Sequence, residues 1–177
     1  MEKKDWVLQG VKRRKTDIVQ LVEASVECLS KPDNVQITLT ADISDHIVWV
    51  EKERILKTLL DLEINAIEAM PEGGELSLRI EGGKDQVVIT VKDTGRGISR
   101  ENMDNLFIPF FSTKPVGEGT GLGLPRAYAA VRTHSGKIEV ESNTDPDNGP
   151  TGTVITITLP RGEEPKPYKG RLIIHDD

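Results

Sequence analysis

Two periods of apolar and polar residues run along the chain and divide it into predicted helices and strands. Apolar residues recur at helical spacing over residues 16–29, 51–70 and 122–133, which predicts three helices. Thr16 or Asp17 can cap the first helix, because its side-chain oxygen can accept a hydrogen bond from a free backbone N–H group. Proline and glycine stop the second helix after residue 70, and a Ser-Gly pair stops the third.

Alternation of apolar and polar residues predicts strands between and after these helices. The predicted strands are residues 35–40, 47–50, 76–80, 86–91, 137–142 and 153–159, with a last edge strand at 172–174. Gly82-Gly83 joins two of them as a hairpin. This order of elements predicts an α+β fold, a two-layer sandwich in which three helices cover a mixed, mostly antiparallel sheet of about five strands.

Residues 93–124 follow neither period, and they contain all three phenylalanines of the chain, Phe107, Phe110 and Phe111. A tight Asp-Thr-Gly turn opens this stretch, and a run of glycines closes it against the third predicted helix. About twenty residues without periodicity are long for a loop inside a compact domain. The stretch is therefore predicted to be a lid over a nucleotide site. We expect the phenylalanines to clamp it onto the domain or onto a partner helix.

The second predicted helix has two faces of different character. On a helical wheel its apolar residues share one broad arc, whereas Asp61, Asn65 and Glu68 share the opposite face. Glu63 falls inside the apolar arc, where a carboxylate needs a polar partner or must extend towards solvent. The three polar residues are therefore candidates for a site, whereas the pattern gives no reason for Glu63.

Composition restricts the classes of protein to which the chain can belong. Its 177 residues, 36% hydrophobic and 29% charged, suit one globular domain, and no apolar run approaches the roughly 20 residues that span a bilayer. The net charge of −6 gives no general attraction to nucleic acid. The three histidines lack metal-ligand spacing. A single cysteine, Cys28, has apolar neighbours, which predicts a buried, inert thiol in a cytoplasmic protein.

The two ends of the chain differ in composition from its middle. Residues 1–15 are rich in lysine and arginine, and residues 161–177 are charged and contain prolines. We therefore expect a linker at 1–15, one domain at 16–160 and a tail at 161–177.

Four segments resemble, in the right order, the boxes of one family of ATP-binding domains. They are LLDLEINAIEAM at 59–70, DTGRGI at 93–98, LFIPFFSTK at 106–114 and GEGTGLGL at 117–124. Each box is short, but the four together within residues 16–160 are specific. The chain resembles the GHKL ATPases, which include DNA gyrase, and within them the catalytic ATP-binding domains of sensor histidine kinases of the nitrogen-regulator type. The resemblance implies the Bergerat ATP-binding fold with a long ATP lid.

The resemblance implies a site for ATP, with ADP as the product. Asp93 would accept a hydrogen bond from the exocyclic amine of adenine, which selects ATP because guanine has a carbonyl there. Taken alone, Asp93 could instead cap its own loop as an Asx turn. Gly95 and Gly97 would let the backbone approach the base, which Thr153 would also support. The full set of nucleotide-binding positions is Asn65, Glu68, Ala69, Asp93, Gly95, Arg96, Gly97, Ile98, Phe107, Lys114, Gly119, Thr120, Gly121, Leu122, Gly123, Leu124 and Thr153.

The resemblance also implies a bound Mg²⁺ beside the phosphates. Asn65 offers an amide oxygen, a hard neutral ligand that suits this metal. Backbone N–H groups of residues 119–123 would hold the phosphates at the start of the third helix, where the helix dipole favours anions. Lys114 and Arg96 are the lid cations expected to meet phosphate oxygens.

Asp61 departs from the asparagine or histidine that is common at its position in the kinases. Gyrase carries an acidic residue there, which activates water. Asp61 is therefore either a group that assists magnesium or acts as a general base, or a charge that merely orients Asn65. The residues leave both roles open.

The resemblance implies that the parent protein transfers the γ-phosphoryl group of Mg·ATP to a histidine and then to a response regulator. No histidine followed by an acidic residue within a helical pattern occurs in the chain. We therefore expect a dimerisation and phosphoacceptor domain to precede residue 1 in a homodimeric parent. Two alternatives stay open: an ATP-hydrolysing switch of the gyrase kind, which Asp61 suggests, and a serine-directed kinase akin to anti-sigma factor kinases.

Overall fold

The computed structural model describes residues 13–114 and 119–163. The helices in these residues are α1 (Ile18–Glu27), α2 (Lys52–Glu68), the one-turn α3 (Arg100–Met103) and α4 (Gly123–Thr133). The strands are β1 (Arg14–Asp17), β2 (Val35–Asp42), β3 (Ile47–Val50), β4 (Gly74–Gly82), β5 (Gln86–Asp93), β6 (Lys137–Asn143) and β7 (Gly152–Pro160). The predicted edge strand at 172–174 lies outside the described residues.

Five strands form one mixed sheet in the order β2-β4-β5-β7-β6. β2 runs parallel to β4, and the other neighbouring pairs are antiparallel. The register places Asp93, the last residue of β5, between Leu76 of β4 and Thr153 of β7. The central strand therefore brings Asp93 beside Thr153, although the two are 60 positions apart in sequence.

The apolar faces of helices and sheet meet in one core. Alternate residues of β4, β5 and β7 are buried and belong to the same cluster as the apolar residues of α1, α2 and α4. Its buried side chains include Leu59 and Leu62 of α2, Ile89 of β5 and Ile157 of β7. Burial of each such side chain stabilises the fold by about 1.5–3 kcal/mol. This α+β arrangement confirms the predicted fold class, and its core fixes α2 against the end of β5.

The predicted helix ends have local causes. Asp17 caps α1, because its Oδ1 accepts hydrogen bonds from two N–H groups of the first turn at 3.0 and 3.1 Å. After α4, Ser135 has a φ of 59°, and the N–H of Gly136 donates to the carbonyl of Val131 at 2.9 Å. A left-handed residue at this position turns the chain back onto the last helical carbonyls and ends the helix.

The two ends of the domain extend beyond their predicted limits. Arg14 and Lys15, at the end of the expected linker, belong to β1, which pairs with β3 in a separate two-stranded sheet. Arg161, at the start of the expected tail, donates to the carbonyls of Gly83 at 2.8 Å and Ile47 at 2.9 Å. The pattern did not reveal β1, because a strand of four mostly polar residues has no apolar alternation.

The prediction of a buried Cys28 is wrong, because its side chain is exposed. Cys28 is the C-cap residue of α1, one turn beyond Ser25, the last buried residue of that helix. Its apolar neighbours Val26 and Leu29 are partly buried against the core, but they lie on another side of the helix end and so do not predict the direction of Cys28 itself.

Candidate functional site

A cavity of 560 Å³ lies between α2, the end of β5, the lid and the start of α4. Pockets for small organic ligands have volumes in this range. Fifteen of the predicted site residues line it: Asp61, Asn65, Glu68, Ala69, Asp93, Arg96, Gly97, Ile98, Lys114, Gly119, Thr120, Gly121, Gly123, Leu124 and Thr153. Three predicted residues, Gly95, Phe107 and Leu122, are not among its lining residues. The fold thus brings the four sequence boxes to one cavity.

Asp93 lines the cavity with only 6% of its surface exposed. Its Oδ1 accepts hydrogen bonds from the N–H groups of Gly95 at 2.8 Å and Thr153 at 3.2 Å. Within the described parts of the chain, no group donates to the second oxygen, Oδ2. Burial raises the pKa of Asp93, while the two backbone hydrogen bonds act in the opposite direction. Asp93 therefore forms an Asx turn with one oxygen, while the other accepts no hydrogen bond from the described residues.

Two glycines after Asp93 permit close packing of the backbone. A Cβ on Gly95 would lie 2.6 Å from the carbonyl oxygen of Ala69, and one on Gly97 would lie 2.2 Å from that of Asn143. Gly97 also has a φ of +71°, which glycine adopts readily. Gly95 therefore lets the turn approach the end of α2, whereas the sequence-based expectation was an approach to the base.

Ser142 of β6 connects the turn after β5 to β7. Its Oγ donates to the carbonyl of Gly152 at 2.8 Å and accepts from the N–H of Ile98 at 2.8 Å. Because a hydroxyl carries one proton, the contact of 2.9 Å between Ser142 Oγ and Thr153 Oγ1 is donated by Thr153. Sequence reasoning did not identify Ser142, which the pairing of β6 with β7 places opposite Thr153.

Lys114 of the lid contacts the polar face of α2. Its Nζ donates to Oδ1 of Asn65 at 3.2 Å and forms an ion pair with Glu68. An ammonium group thus lies between two oxygens that face the cavity. Amide and carboxylate oxygens are ligands that Mg²⁺ prefers, so this donor pair fits the implied metal once Lys114 has moved. The described residues contain no cluster of three or more His, Cys, Asp or Glu that could hold a metal.

Asp61 lies one helical turn before Asn65 and pairs with Arg126 of α4. Nη2 of Arg126 is 3.0 Å from Oδ1 of Asp61, and Nε is 3.3 Å from Oδ2. Arg126 also lines the cavity, and sequence reasoning did not identify it. Only the packing of α4 on α2 brings these two residues together.

The start of α4 presents backbone N–H groups to the cavity. Leu122, the residue before its first turn, makes no side-chain capping hydrogen bond. Gly121 has a φ of +62°, and a Cβ there would lie 2.5 Å from the backbone of Phe110. Gly123, the first residue of α4, lines the cavity. Uncapped N–H groups and the helix dipole together attract anions, so this end of the cavity suits phosphate groups.

The three phenylalanines of the lid have three different positions. Phe107 packs on Tyr128 of α4, with ring centroids 4.8 Å apart, and so attaches the base of the lid to the domain. Phe111 lines the cavity. Phe110 is 77% exposed and has a φ of 68°. Only Phe107 therefore has the position expected of a clamp on the domain.

Comparison with known proteins places the chain in one family. The family described as histidine kinase-, DNA gyrase B- and HSP90-like ATPase matches residues 50–163, and the chain belongs to this family. Sporulation kinase E of Bacillus subtilis is 31% identical over 156 residues, which cover 86% of this chain and 20% of the relative. Sensor histidine kinase ZraS of Salmonella typhimurium is 36% identical over 127 residues, which cover 71% of this chain and 26% of the relative.

Solved structures show the same relationship. The catalytic domain of histidine kinase ThkA superposes with a TM-score of 0.73 at 27% identity, over 84% of this chain and 95% of that one. ThkA in complex with the response regulator protein TrrA has a TM-score of 0.68 at 23% identity, over 85% of this chain and 42% of that one. The chain therefore has the fold of a histidine kinase catalytic domain. It spans only about a fifth to a quarter of the length of the two curated relatives.

No helix among the described residues combines the length and the apolar character that crossing a membrane requires.

Proposed function

We propose that this chain is the ATP-binding catalytic domain of a sensor histidine kinase. In its parent protein it would transfer the γ-phosphoryl group of Mg·ATP to a histidine on a separate domain. The observation that carries this proposal is Asp93, whose Oδ2 accepts no hydrogen bond from the described residues and which lines a 560 Å³ cavity together with the start of α4 and the polar face of α2. One end of the cavity thus offers an acceptor for the adenine amine, and the other offers N–H groups for phosphates.

The residues of the chain would act mainly by positioning and by electrostatic stabilisation. Asp93 would orient the adenine, and the N–H groups at the start of α4 would hold the phosphates in line with the incoming histidine. Asn65 and Glu68 would hold Mg²⁺, which neutralises phosphate charge when bound. Lys114, released from these two residues, would then meet a phosphate oxygen. Leu106 and Phe111, which line the cavity beside the lid, would exclude water from the reacting group.

The partners of this reaction would belong to a two-component system. The phosphoacceptor histidine would lie on a dimerisation domain of the same protein, and a response regulator would receive the phosphoryl group. The complex of ThkA with TrrA supports this partner class, because ThkA shares the fold of this chain. We further propose that the domain works in the cytoplasm, where Mg·ATP is available, and that the parent is a homodimer.

Phosphoryl transfer in trans tests the proposal. The domain is incubated with Mg·ATP that carries a radioactive γ-phosphate and with the separately made phosphoacceptor domain of the parent protein. We expect label on the acceptor that is lost in acid and retained in base, as a phosphohistidine requires. A protein that binds Mg·ATP but leaves the acceptor unlabelled would contradict the proposal.

A second candidate function is ATP hydrolysis as a molecular switch, which the acidic Asp61 in the cavity wall favours. Such a protein would release phosphate rapidly without a partner, and no label would reach histidine. Acid-stable label on a serine of a partner would instead indicate the serine-directed kinases. The same incubation therefore separates the three classes by the fate of the γ-phosphate.

A further inference from the structure

The ion pair of Asp61 and Arg126 joins the two helices that border the phosphate end of the cavity. Two nitrogens of Arg126 contact the two carboxylate oxygens of Asp61, at 3.0 and 3.3 Å. A guanidinium with two parallel contacts fixes direction as well as distance, which a single contact does not. The Asp61 side chain is 15% exposed and that of Arg126 is 47% exposed, so the carboxylate is shielded from water while the guanidinium borders solvent.

The ion pair separates two neighbouring cavities. Asp61 and Arg126 line the nucleotide cavity, and both also line a second cleft of 200 Å³ between α2 and α4. That cleft is otherwise bordered by Arg54, Lys57 and small residues of α4. The carboxylate of Asp61 lies close to the start of α4, since a Cβ on Gly123 would be 3.9 Å from its Cγ, and Arg126 is in position to neutralise it.

Close approach of the helices makes this contact possible. A Cβ on Gly123 would lie 3.5 Å from Nδ2 of Asn65 and 3.7 Å from Cβ of Asp61. The first turn of α4 thus rests directly on the turn of α2 that carries both polar residues. Arg126, three residues further along α4, holds that contact from the side.

We propose that Arg126 is a positioning residue for nucleotide, which neutralises Asp61 and fixes the start of α4 relative to Asn65. The inference rests on the proposed function, since it assigns the phosphates to the start of α4 and the metal to Asn65. It also chooses between the two roles left open for Asp61. Both oxygens of this carboxylate contact Arg126, so the geometry favours an orienting role for Asp61 over activation of water.

A double-mutant cycle on nucleotide affinity tests this assignment. The variants are Arg126→Met, Asp61→Asn and the double variant, with Arg132→Met as the control because Arg132 is exposed in the last turn of the same helix. ATP affinity is measured by competition with a fluorescent nucleotide, once in EDTA and once in Mg²⁺. Thermal unfolding of each variant without nucleotide shows that it is folded.

Arg126→Met leaves a bare carboxylate beside the triphosphate, so we expect about a tenfold loss of ATP affinity in EDTA. Asp61→Asn removes that charge and keeps one acceptor for Arg126, so we expect a loss of about threefold or less. The double variant should bind better than Arg126→Met, because the uncompensated charge is gone. Arg126→Lys, which keeps the charge but not the paired contacts, should lie between wild type and Arg126→Met.

Three results would overturn the proposal. Losses that simply add in the double variant would show that Arg126 and Asp61 act independently. An Arg126→Met protein that binds ATP in EDTA as well as or better than wild type would show that Asp61 needs no neutralisation. A slow ATP hydrolysis that disappears in Asp61→Asn while affinity stays unchanged would make Asp61 a general base. A wild-type domain that binds no ATP would refute the proposed function itself, and the inference with it.

Discussion

The two carboxylate oxygens of Asp93 have separate surroundings. Oδ1 accepts two backbone hydrogen bonds, whereas Oδ2 accepts none from the described residues, and the residue lines the cavity. An asparagine has the same shape and can keep its oxygen on the two backbone donors. Its amide nitrogen then replaces Oδ2 and donates where the carboxylate accepted. The adenine amine would meet a donor, while the guanine carbonyl would meet a suitable partner.

We therefore expect Asp93→Asn to weaken ATP binding by about tenfold or more and to reduce the preference for ATP over GTP. The measurement is competition of each nucleotide against a fluorescent analogue. Unfolding at neutral pH should occur at or above the wild-type temperature, because a neutral amide replaces a buried charge. Asp104→Asn, at an exposed position of the lid, is the control. An unchanged ratio of ATP to GTP affinity would disprove the adenine assignment.

The prediction that Glu63 lies inside the apolar arc of α2 is confirmed, because none of its surface is exposed. Its partner is Ser25 of α1, whose Oγ is 2.6 Å from Oε1 of Glu63 and 2.7 Å from the carbonyl of Val22. A hydroxyl has one proton to donate. If that proton goes to Val22, the proton between Ser25 and Glu63 belongs to a neutral carboxyl group. Burial raises the pKa of Glu63 to about 7, partly offset by the hydrogen bond with Ser25.

A pKa raised from 4.5 to about 7 makes stability depend on pH in a defined direction. Below pH 4.5 the carboxyl group of Glu63 is neutral in the folded and the unfolded state, so its ionisation does not reduce the free energy of unfolding. Between pH 4.5 and 7 the unfolded chain releases the proton and the folded chain retains it, so stability falls as pH rises. Above the folded pKa the loss is complete, at about 3 kcal/mol.

Glu63→Gln should remove this loss, because an amide can donate to Ser25 at every pH. We expect the variant to match wild type near pH 4.5 and to exceed it by about 1–3 kcal/mol at pH 8. The measurement is denaturant unfolding across this range, with the exposed Glu72→Gln as the control. A difference between Glu63→Gln and wild type that does not change with pH would contradict a neutral carboxyl group in the core.

At the scale of elements, His134 connects the end of α4 to the start of α2. The imidazole is 2% exposed. Its Nε2 accepts a hydrogen bond from the N–H of Glu51 at 2.9 Å, which requires that Nδ1 carry the proton and donate to the carbonyl of Ala130 at 2.7 Å. Burial lowers the pKa of His134, and the cations Arg13 and Arg54 lower it further. The hydrogen bond to Ala130 and the charge of Glu51 oppose that shift.

We expect His134→Leu to destabilise the domain by about 1–3 kcal/mol at pH 8, because it leaves the N–H of Glu51 without its acceptor and removes the side-chain hydrogen bond to the carbonyl of Ala130. A lowered pKa means that the folded state favours the neutral ring. Its stabilisation is present above pH 6.5 and is lost as pH falls towards the folded pKa. Unfolding measured at pH 8 and pH 5 should therefore show a smaller gap between wild type and variant at pH 5. A gap that widens at low pH would contradict this protonation state.

Periodicity predicted the elements with long apolar patterns and missed those that depend on distant contacts. The apolar stripe of α2 and the alternation in β5 and β7 are local properties, so sequence revealed them. β1 is stabilised by its pairing with β3. Its four residues are all polar, so they show no alternation from which a strand could be predicted. Likewise, the exposure of Cys28 depends on the point along α1 at which the helix stops contacting the core, and a local pattern does not contain this information.

At the scale of the whole molecule, the glycine and polar boxes predicted most residues that line the cavity, because each box marks backbone that must turn or polar side chains without a core role. Sequence reasoning did not identify Arg126 or Ser142, because each is positioned by a residue far away in sequence. Arg126 pairs with Asp61, and Ser142 accepts a hydrogen bond from Ile98. Sequence pattern identifies such residues only when the pairing of helices and strands is known.

The cavity joins parts of both layers, so a ligand there should stabilise the whole domain. Asp93 belongs to the sheet, Asn65 to α2 and Gly123 to α4, and all three line the cavity. A ligand at a hundred times its dissociation constant adds about 2.7 kcal/mol to stability, which corresponds to a rise of about 5–10 °C in Tm for a domain of this size.

Lys114 should contribute more to the stabilisation by ATP than to the stabilisation by ADP. In the present conformation its ammonium group contacts Asn65 and Glu68, the two residues that would bind Mg²⁺. If Lys114 then meets the γ-phosphate, Lys114→Met should reduce the Tm rise with Mg·ATP by about half and leave the rise with Mg·ADP nearly unchanged. Lys84→Met, at the exposed tip of the β4–β5 hairpin, is the control. Equal losses with both nucleotides would place Lys114 on the inner phosphates or on the metal site instead, and no loss with either would remove it from the nucleotide site.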